Sequence, residues 1–169
     1  AGDDRGVLMD LHAMHGNKAV AVGYSGLMEA MERQRVSIAP GDFLCLYTGW
    51  ADLLLSMNKQ PDVSVLKSSC ASLDGTDHRL LQWISDAGIA AICADNLAVE
   101  SPQGAPIAPA SRQRRSIFPL HEHCLFKLGI PLGELWWFED LAAALRSAGR
   151  HAFFLTAPPL RLPGAVAHP

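Results

Sequence analysis

Along the chain, apolar and polar positions fall into short blocks. Their spacing switches between the two-residue period of a strand and the three-to-four-residue period of a helix. RGVLMDLHAMHG, residues 5–16, alternates briefly and closes on Gly16, predicting a strand that runs out into a loop. Over residues 24–36, Leu27, Met28, Met31 and Val36 recur at helical spacing beside Glu29, Glu32 and Arg33, with Ser25 placed as N-cap. The turn Pro40-Gly41-Asp42 precedes FLCLY, an apolar run of the length of a buried strand. Residues 51–57 add a helical turn or two, and the polar, punctuated residues 58–72 read as a surface connection.

DGTDHRLLQWISDAG, residues 74–88, predicts a helix with Thr76 or Asp77 as cap, Leu80, Leu81 and Ile84 inside, and Gly88 as terminator. IAAICADN follows as a buried strand whose C-terminal end carries Asp95 and Asn96. SPQGAPIAPASRQRRS, residues 101–116, is a long Pro/Ser loop. A helix over 119–128, a strand or turn over 130–134, a helix over 139–148 and a strand over 151–156 complete the series. Helices alternating with apolar strands predict an α/β or α+β domain with a mixed sheet, and a chain of 169 residues is most simply one domain.

Composition narrows the function classes. Of the residues, 49% are hydrophobic and 18% charged, which suits a packed core. A net charge of -3 offers no electrostatic footprint for nucleic acid or an anionic membrane surface, and the one basic cluster, Arg112-Gln113-Arg114-Arg115, reads as a solvated loop. No apolar run approaches the roughly 18 residues of a membrane span, and AGDDRG lacks signal-peptide character. Four cysteines, Cys45, Cys70, Cys93 and Cys124, form no CxxC pair; Cys45 and Cys93 read as buried free thiols, and a cytoplasmic location is expected.

Nucleophile and phosphate motifs are absent: there is no GxSxG, GxGxxG or Walker loop, and Ser25 in GYSGL does not complete an elbow. Cys124 beside His123 reads as a structural thiol, because neighbours on a helix point about 100° apart. The richest stretch is PLHEHCLFKLGIPLGELWWFEDLAAAL, residues 119–145. On a helix His121 and His123 diverge, so at most one faces inward as a ligand, and only the fold can bring Glu134 to it across the Gly-Ile-Pro break. His12 and His15 stand at i, i+3 and could share a helical face, but LMDLHAMHG reads as a strand end, favouring a loop role. Asp95 ends a buried strand, where ligand crevices lie in open α/β sheets, and could equally cap the next turn. Trp136 and Trp137 suit core or subunit contact better than a substrate platform.

Five segments in order carry a resemblance: RGVLMDL, PGDFLCLYTGW, ASLDGTDHRLLQWISDAGIAAICADNLAVE, FPLHEHCLFKLGIPLGELWWFEDLA and FFLTAPPLRLPGAVAHP. Together they resemble the cyclase family of metal-dependent hydrolases, which includes bacterial kynurenine formamidase and isatin hydrolase. The resemblance implies a swivelling β/β/α-type domain around one or two divalent ions, zinc or manganese. In that chemistry a metal-bound hydroxide attacks the carbonyl of an amide or lactam, a small-molecule substrate. The family's late histidine and its glutamate after the Gly-Ile break match His121 and Glu134, which the resemblance makes metal ligands. It puts Asp95 below the site and Trp50 in the wall of the substrate pocket, and it implies a homodimer or homotetramer. The family's His-x-x-Thr-His-x-Asp motif is not in this chain. The chain is therefore expected to correspond to the C-terminal two thirds of a family member. The alternative is a non-catalytic scaffold or small-molecule-binding member with a degenerate metal site.

Overall fold

A computed structural model describes residues 5–101 and 116–157. Its centre is a five-stranded sheet built from β1 (Arg5–Asp10), β3 (Phe43–Tyr47), β5 (Ala91–Ala94), β6 (Leu132–Gly133) and β7 (Ala152–Phe154), in the order β6-β5-β3-β1-β7. The β1–β3, β3–β5 and β5–β6 pairs are parallel and the β1–β7 pair is antiparallel. A second sheet pairs β2 (Val20–Val22) in parallel with β4 (Ala71–Leu73). Helices α1 (Leu11–His15), α2 (Tyr24–Gln34), α3 (Trp50–Ser56), α4 (Val63–Lys67), α5 (His78–Ala87), α6 (Pro119–His121) and α7 (Glu139–Ser147) complete the described chain, with a π-helical segment, Glu122–Leu128, continuing α6. This is the α/β fold with a mixed, helix-flanked sheet that the pattern predicts.

The central strands are apolar on both faces because both faces are covered. Successive side chains of a strand point to opposite sides. Val7 and Met9 of β1, Leu44 and Leu46 of β3, and Ile92 and Ala94 of β5 therefore enter one core with Leu27 and Ala30 of α2 and Leu80 and Ile84 of α5. Leu8, Cys45, Ala91 and Cys93 point the other way, into a second core closed by Phe138, Ala142 and Leu145. Val22, Ala71 and Leu73 join the small sheet to the first core.

Several local expectations need correction. Residues 11–15 form a helical turn, not a loop, because the Asp10 carboxylate accepts the Ala13 N–H at 2.8 Å and caps it. His12 contacts Asn17 Oδ1 at 3.1 Å and stands edge-on to the Tyr47 ring. The surface connection over 58–72 contains α4 and the start of β4. β2 and β4, three residues each, are too short to show a period. The basic cluster at 112–115, most of the Pro/Ser loop and the chain after residue 157 lie outside the described residues.

Ser25 is not the N-cap of α2. The cap position is Gly23, and the N–H of Tyr24 is taken by Asp77 Oδ2 at 2.7 Å, 53 residues away. The other oxygen of Asp77 accepts the Arg79 N–H at 2.8 Å, so one carboxylate caps both α2 and α5. A Cβ at Gly23 would collide with this carboxylate, which is why the position holds glycine. The hydrogen bond from the Tyr24 N–H, reinforced by that from Arg79, holds the Asp77 carboxyl below the ordinary carboxylate range. Its contribution to stability is thus present above the unfolded value near 4 and lost as pH falls through the lower folded value. Asp77→Ala is expected to cost about 1–2 kcal/mol at pH 7, and denaturant titrations should show the gap from wild type narrowing by pH 3. A gap that widens in acid would contradict the dual cap.

All four cysteines are free and buried. Cys45 and Cys93 face each other in register across β3 and β5. Their mutual hydrogen bond, then burial, pushes the Cys45 thiol well up. Burial raises Cys70 to about 11 and Cys124 to about 12. Only a thiolate alkylates readily. Iodoacetamide at pH 8 should therefore leave the native thiols of residues 45, 70, 93 and 124 unmodified over an hour and label them all in denaturant; mass spectrometry reads the result.

Candidate metal-ligand site

The site is assembled from three places in the chain that meet beyond the C-terminal ends of β4, β5 and β6. The first is the loop leaving β5. Asn96 donates to the Ala71 carbonyl at 3.2 Å and accepts the Val99 N–H at 2.8 Å, folding the loop back on itself. Val99 is fully buried at φ +55°. That is an uncommon conformation for a β-branched residue, sustained only where the surroundings impose it. The loop delivers Glu100, which bridges to Leu73 of β4; its side chain has no solvent exposure.

The second piece is the helix start at Pro119. Glu100 Oε2 accepts the Leu120 N–H at 3.0 Å and Oε1 accepts the His121 N–H at 3.0 Å. These are unpaired donors of a helix's first turn, and a carboxylate there also complements the helix dipole. The same Oε1 lies 2.7 Å from His121 Nδ1. A Cβ on Gly75 would strike Glu100 Oε2 and come within 2.8 Å of the Leu120 nitrogen, so the close approach of the three segments requires glycine there. Beyond His121 the chain widens into the π-helical segment, a form found frequently at functional sites. There Cys124 drops into the core and His123 contacts Ser85 Oγ at 2.9 Å, away from His121.

The third piece is the turn after β6. Leu135 at φ +58° donates its N–H to the Asn96 carbonyl and Trp136 to that of Ala94, both close to 3 Å, which anchors the turn to the end of β5. Glu134 is carried with it, and its Oε1 lies 2.9 Å from His121 Nε2. The His121 and Glu134 side chains keep 26% and 34% exposure, so the pair opens to solvent while Glu100 beneath it does not. Trp136 packs on Phe138 with ring centroids 5.7 Å apart, and the more exposed Trp137 donates to Asp140 at 2.8 Å.

Asp95, directly after β5, reaches across to the turn after β3 that leads into Trp50. Asp95 is fully buried and accepts the Thr48 N–H, the Thr48 hydroxyl and the Gly49 N–H at 2.7–2.8 Å. Burial pushes its carboxyl up and these three bonds pull against the rise. Trp50 donates its indole N–H to the Leu66 carbonyl at 3.0 Å and packs with Leu66 and Cys70. Among the described residues, no hydrogen bond or ion pair joins Trp50 or Asp95 to His121 or Glu134. The fold thus brings together His121 and Glu134, 13 residues apart, and adds a residue that spacing did not single out, Glu100. Its only signal in the chain was a carboxylate shortly after a buried strand and Asp95-Asn96.

A neutral imidazole nitrogen and a carboxylate oxygen are suitable donors for zinc or manganese. Two ligands about 2.1 Å from a shared ion and at right angles to one another stand about 3 Å apart. The 2.9 Å between Nε2 and Oε1 therefore fits two adjacent positions of one coordination shell. Among the described residues no group of three or more His, Cys, Asp or Glu side chains completes such a shell. His121 and Glu134 fit as a part of it.

Comparison with known proteins agrees with this architecture. The family described as "Putative cyclase" matches residues 4–101, more than half of the chain. A crystal structure described as that of a novel cyclase superposes with a TM-score of 0.76 at 30% identity, covering 98% of this chain and 51% of its own. A structure described as a potential metal-dependent hydrolase with cyclase activity superposes at 0.55 with 17% identity, covering 95% of this chain and 59% of its own; this second likeness shows the fold alone. No curated protein matches. The chain spans about half the length of these two structures. The fold is the α/β fold of the cyclases. The chain belongs to the cyclase family.

Proposed function

We propose that this chain contributes part of the active site of a metal-dependent hydrolase that cleaves the C–N bond of a small amide or lactam. The observation that carries the reading is the His121–Glu134 pair, held at 2.9 Å on a buried carboxylate and open to solvent. A bound divalent ion, zinc or manganese, would supply Lewis acidity toward the scissile carbonyl and toward water. His121 would hold that ion through Nε2 and Glu134 through Oε1. Glu100 keeps the imidazole from rotating, since its Oε1 is tied to both the backbone N–H and the ring of His121. Trp50 would contribute to the wall of the substrate pocket, and Asp95 would hold the turn that carries Trp50. A cytoplasmic homodimer or homotetramer completes the proposal.

The test is metal analysis of the full-length protein, with hydrolysis of N-formylkynurenine and isatin followed with and without added manganese or zinc. Stoichiometric metal and metal-dependent turnover of either compound support the reading. A protein that binds no metal and hydrolyses neither overturns it. That result would favour a non-catalytic member, for which one feature speaks: both ring nitrogens of His121 already lie within hydrogen-bond distance of a carboxylate of this chain.

A further inference from the structure

We infer that Glu100 is a positioning residue that selects the tautomer of His121, placing the proton on Nδ1 and leaving the Nε2 lone pair directed at Glu134. This rests on the reading of His121 as a metal ligand. A neutral imidazole carries one N–H and one lone pair, while an ionised carboxylate only accepts. Both carboxylates touch the ring, Glu100 at Nδ1 and Glu134 at Nε2, so a neutral His121 can donate to only one of them.

The surroundings decide which. Glu100 is held in place: its side chain is wholly buried, both its oxygens are tied to backbone N–H groups of the helix start, and its Oε2 fits against Gly75 where any Cβ would collide with it. A lone pair on Nδ1 facing Glu100 Oε1 at 2.7 Å would be an acceptor against an acceptor with no room for relief. Glu134 is 34% exposed, so water or an ion can meet it when the ring does not donate. The immobile carboxylate takes the proton-bearing nitrogen and the mobile one is left facing the lone pair. The Phe118 ring, its centroid 5.2 Å from that of His121, lies beside the imidazole. The arrangement is the carboxylate–histidine pairing that fixes ring orientation and raises ligand basicity at metal sites.

The experiment is nitrogen-15 NMR of the metal-free full chain at pH 8.5, the His121 ring signals being assigned by their loss in His121→Gln. The expected result is a protonated Nδ1 and an unprotonated Nε2. In Glu100→Ala the only carboxylate left on the ring is Glu134, so the proton should move to Nε2, and zinc affinity by calorimetry should fall about 10- to 100-fold. In Glu134→Ala, at a part-exposed position that threatens folding less, the proton should stay on Nδ1. A wild-type ring protonated at Nε2, or a tautomer that follows Glu134 rather than Glu100, overturns the assignment. An Nδ1-protonated ring in a protein without zinc affinity would sustain Glu100's role and sink the metal reading. Zinc binding by a ring protonated at Nε2 would overturn Glu100's role and spare that reading.

Discussion

Asp95→Ala is expected to lower the unfolding free energy by about 3–5 kcal/mol, among the largest losses for any single side chain here. Two backbone N–H groups and a hydroxyl from the turn after β3 converge on this one carboxylate at the end of β5. Asp95 and Thr48 are both fully buried, so no water replaces the lost acceptor. Each orphaned donor costs about 1–3 kcal/mol, and the sum is tempered by relaxation of the turn. Asp95→Asn keeps one acceptor oxygen but sets an NH2 group against a backbone donor, so it should still cost about 2 kcal/mol.

The pH dependence of Asp95 has the opposite sign to that of Asp77. Burial, the larger influence, raises the Asp95 carboxyl in the folded protein, so the folded state holds this proton more tightly than the unfolded chain. Its contribution to stability therefore falls as pH rises from the ordinary carboxylate value through the raised one. Denaturant titration of Asp95→Ala at pH 7 checks the magnitude. A loss below about 1 kcal/mol would mean that the turn finds other acceptors.

His121→Ala and Glu134→Ala are each expected to weaken divalent-ion binding by at least about 100-fold, the scale above that of an outer-shell partner, and to abolish metal-dependent hydrolysis. Both side chains are partly exposed and neither belongs to a hydrophobic core. Glu134→Ala should therefore change stability by no more than about 1 kcal/mol, and His121→Ala, which also takes a hydrogen-bond partner from buried Glu100, by about 1–3 kcal/mol. That contrast separates them from Asp95→Ala, where any loss of activity would follow loss of the fold. Calorimetric titration with zinc and manganese beside a thermal melt reads both quantities. Unchanged ion affinity in either variant would remove that residue from the ligand set.

The elements that read clearly from the chain are those whose signal is local. FLCLY between a Pro-Gly turn and Thr48-Gly49 is β3, and AICA after Gly88 is β5, because a short apolar run bounded by breakers suits a strand covered on both faces. Asp77, Leu80, Ile84 and Gly88 write a helix with both ends marked, and α5 spans His78–Ala87 between them. β2 and β4 leave no such signal because three residues hold no measurable period; their pairing is decided by the core they join, through Val22, Ala71 and Leu73. Ser25 has the residue type of an N-cap, whereas the group that caps α2 arrives from 53 residues away.

The same division runs through the site. The chain itself determines the α/β alternation, the burial of Cys45 and Cys93, and a histidine and a glutamate on either side of a Gly-Ile-Pro break. Those are properties of residue type and local spacing, where the hydrophobic pattern acts directly. Only the tertiary structure decides that His121 and not His123 faces Glu134, because the turn after β6 is tied to the end of β5 through Asn96 and Ala94. Only it decides that Glu100 lies beneath His121, through a loop bent at Val99 and a seat left open by Gly75. A buried carboxylate is tolerated where donors converge on it, and donors converge only after distant backbone segments have packed. The chemistry of each residue is written in the chain; which residues meet follows from packing and hydrogen-bond closure between segments far apart in it.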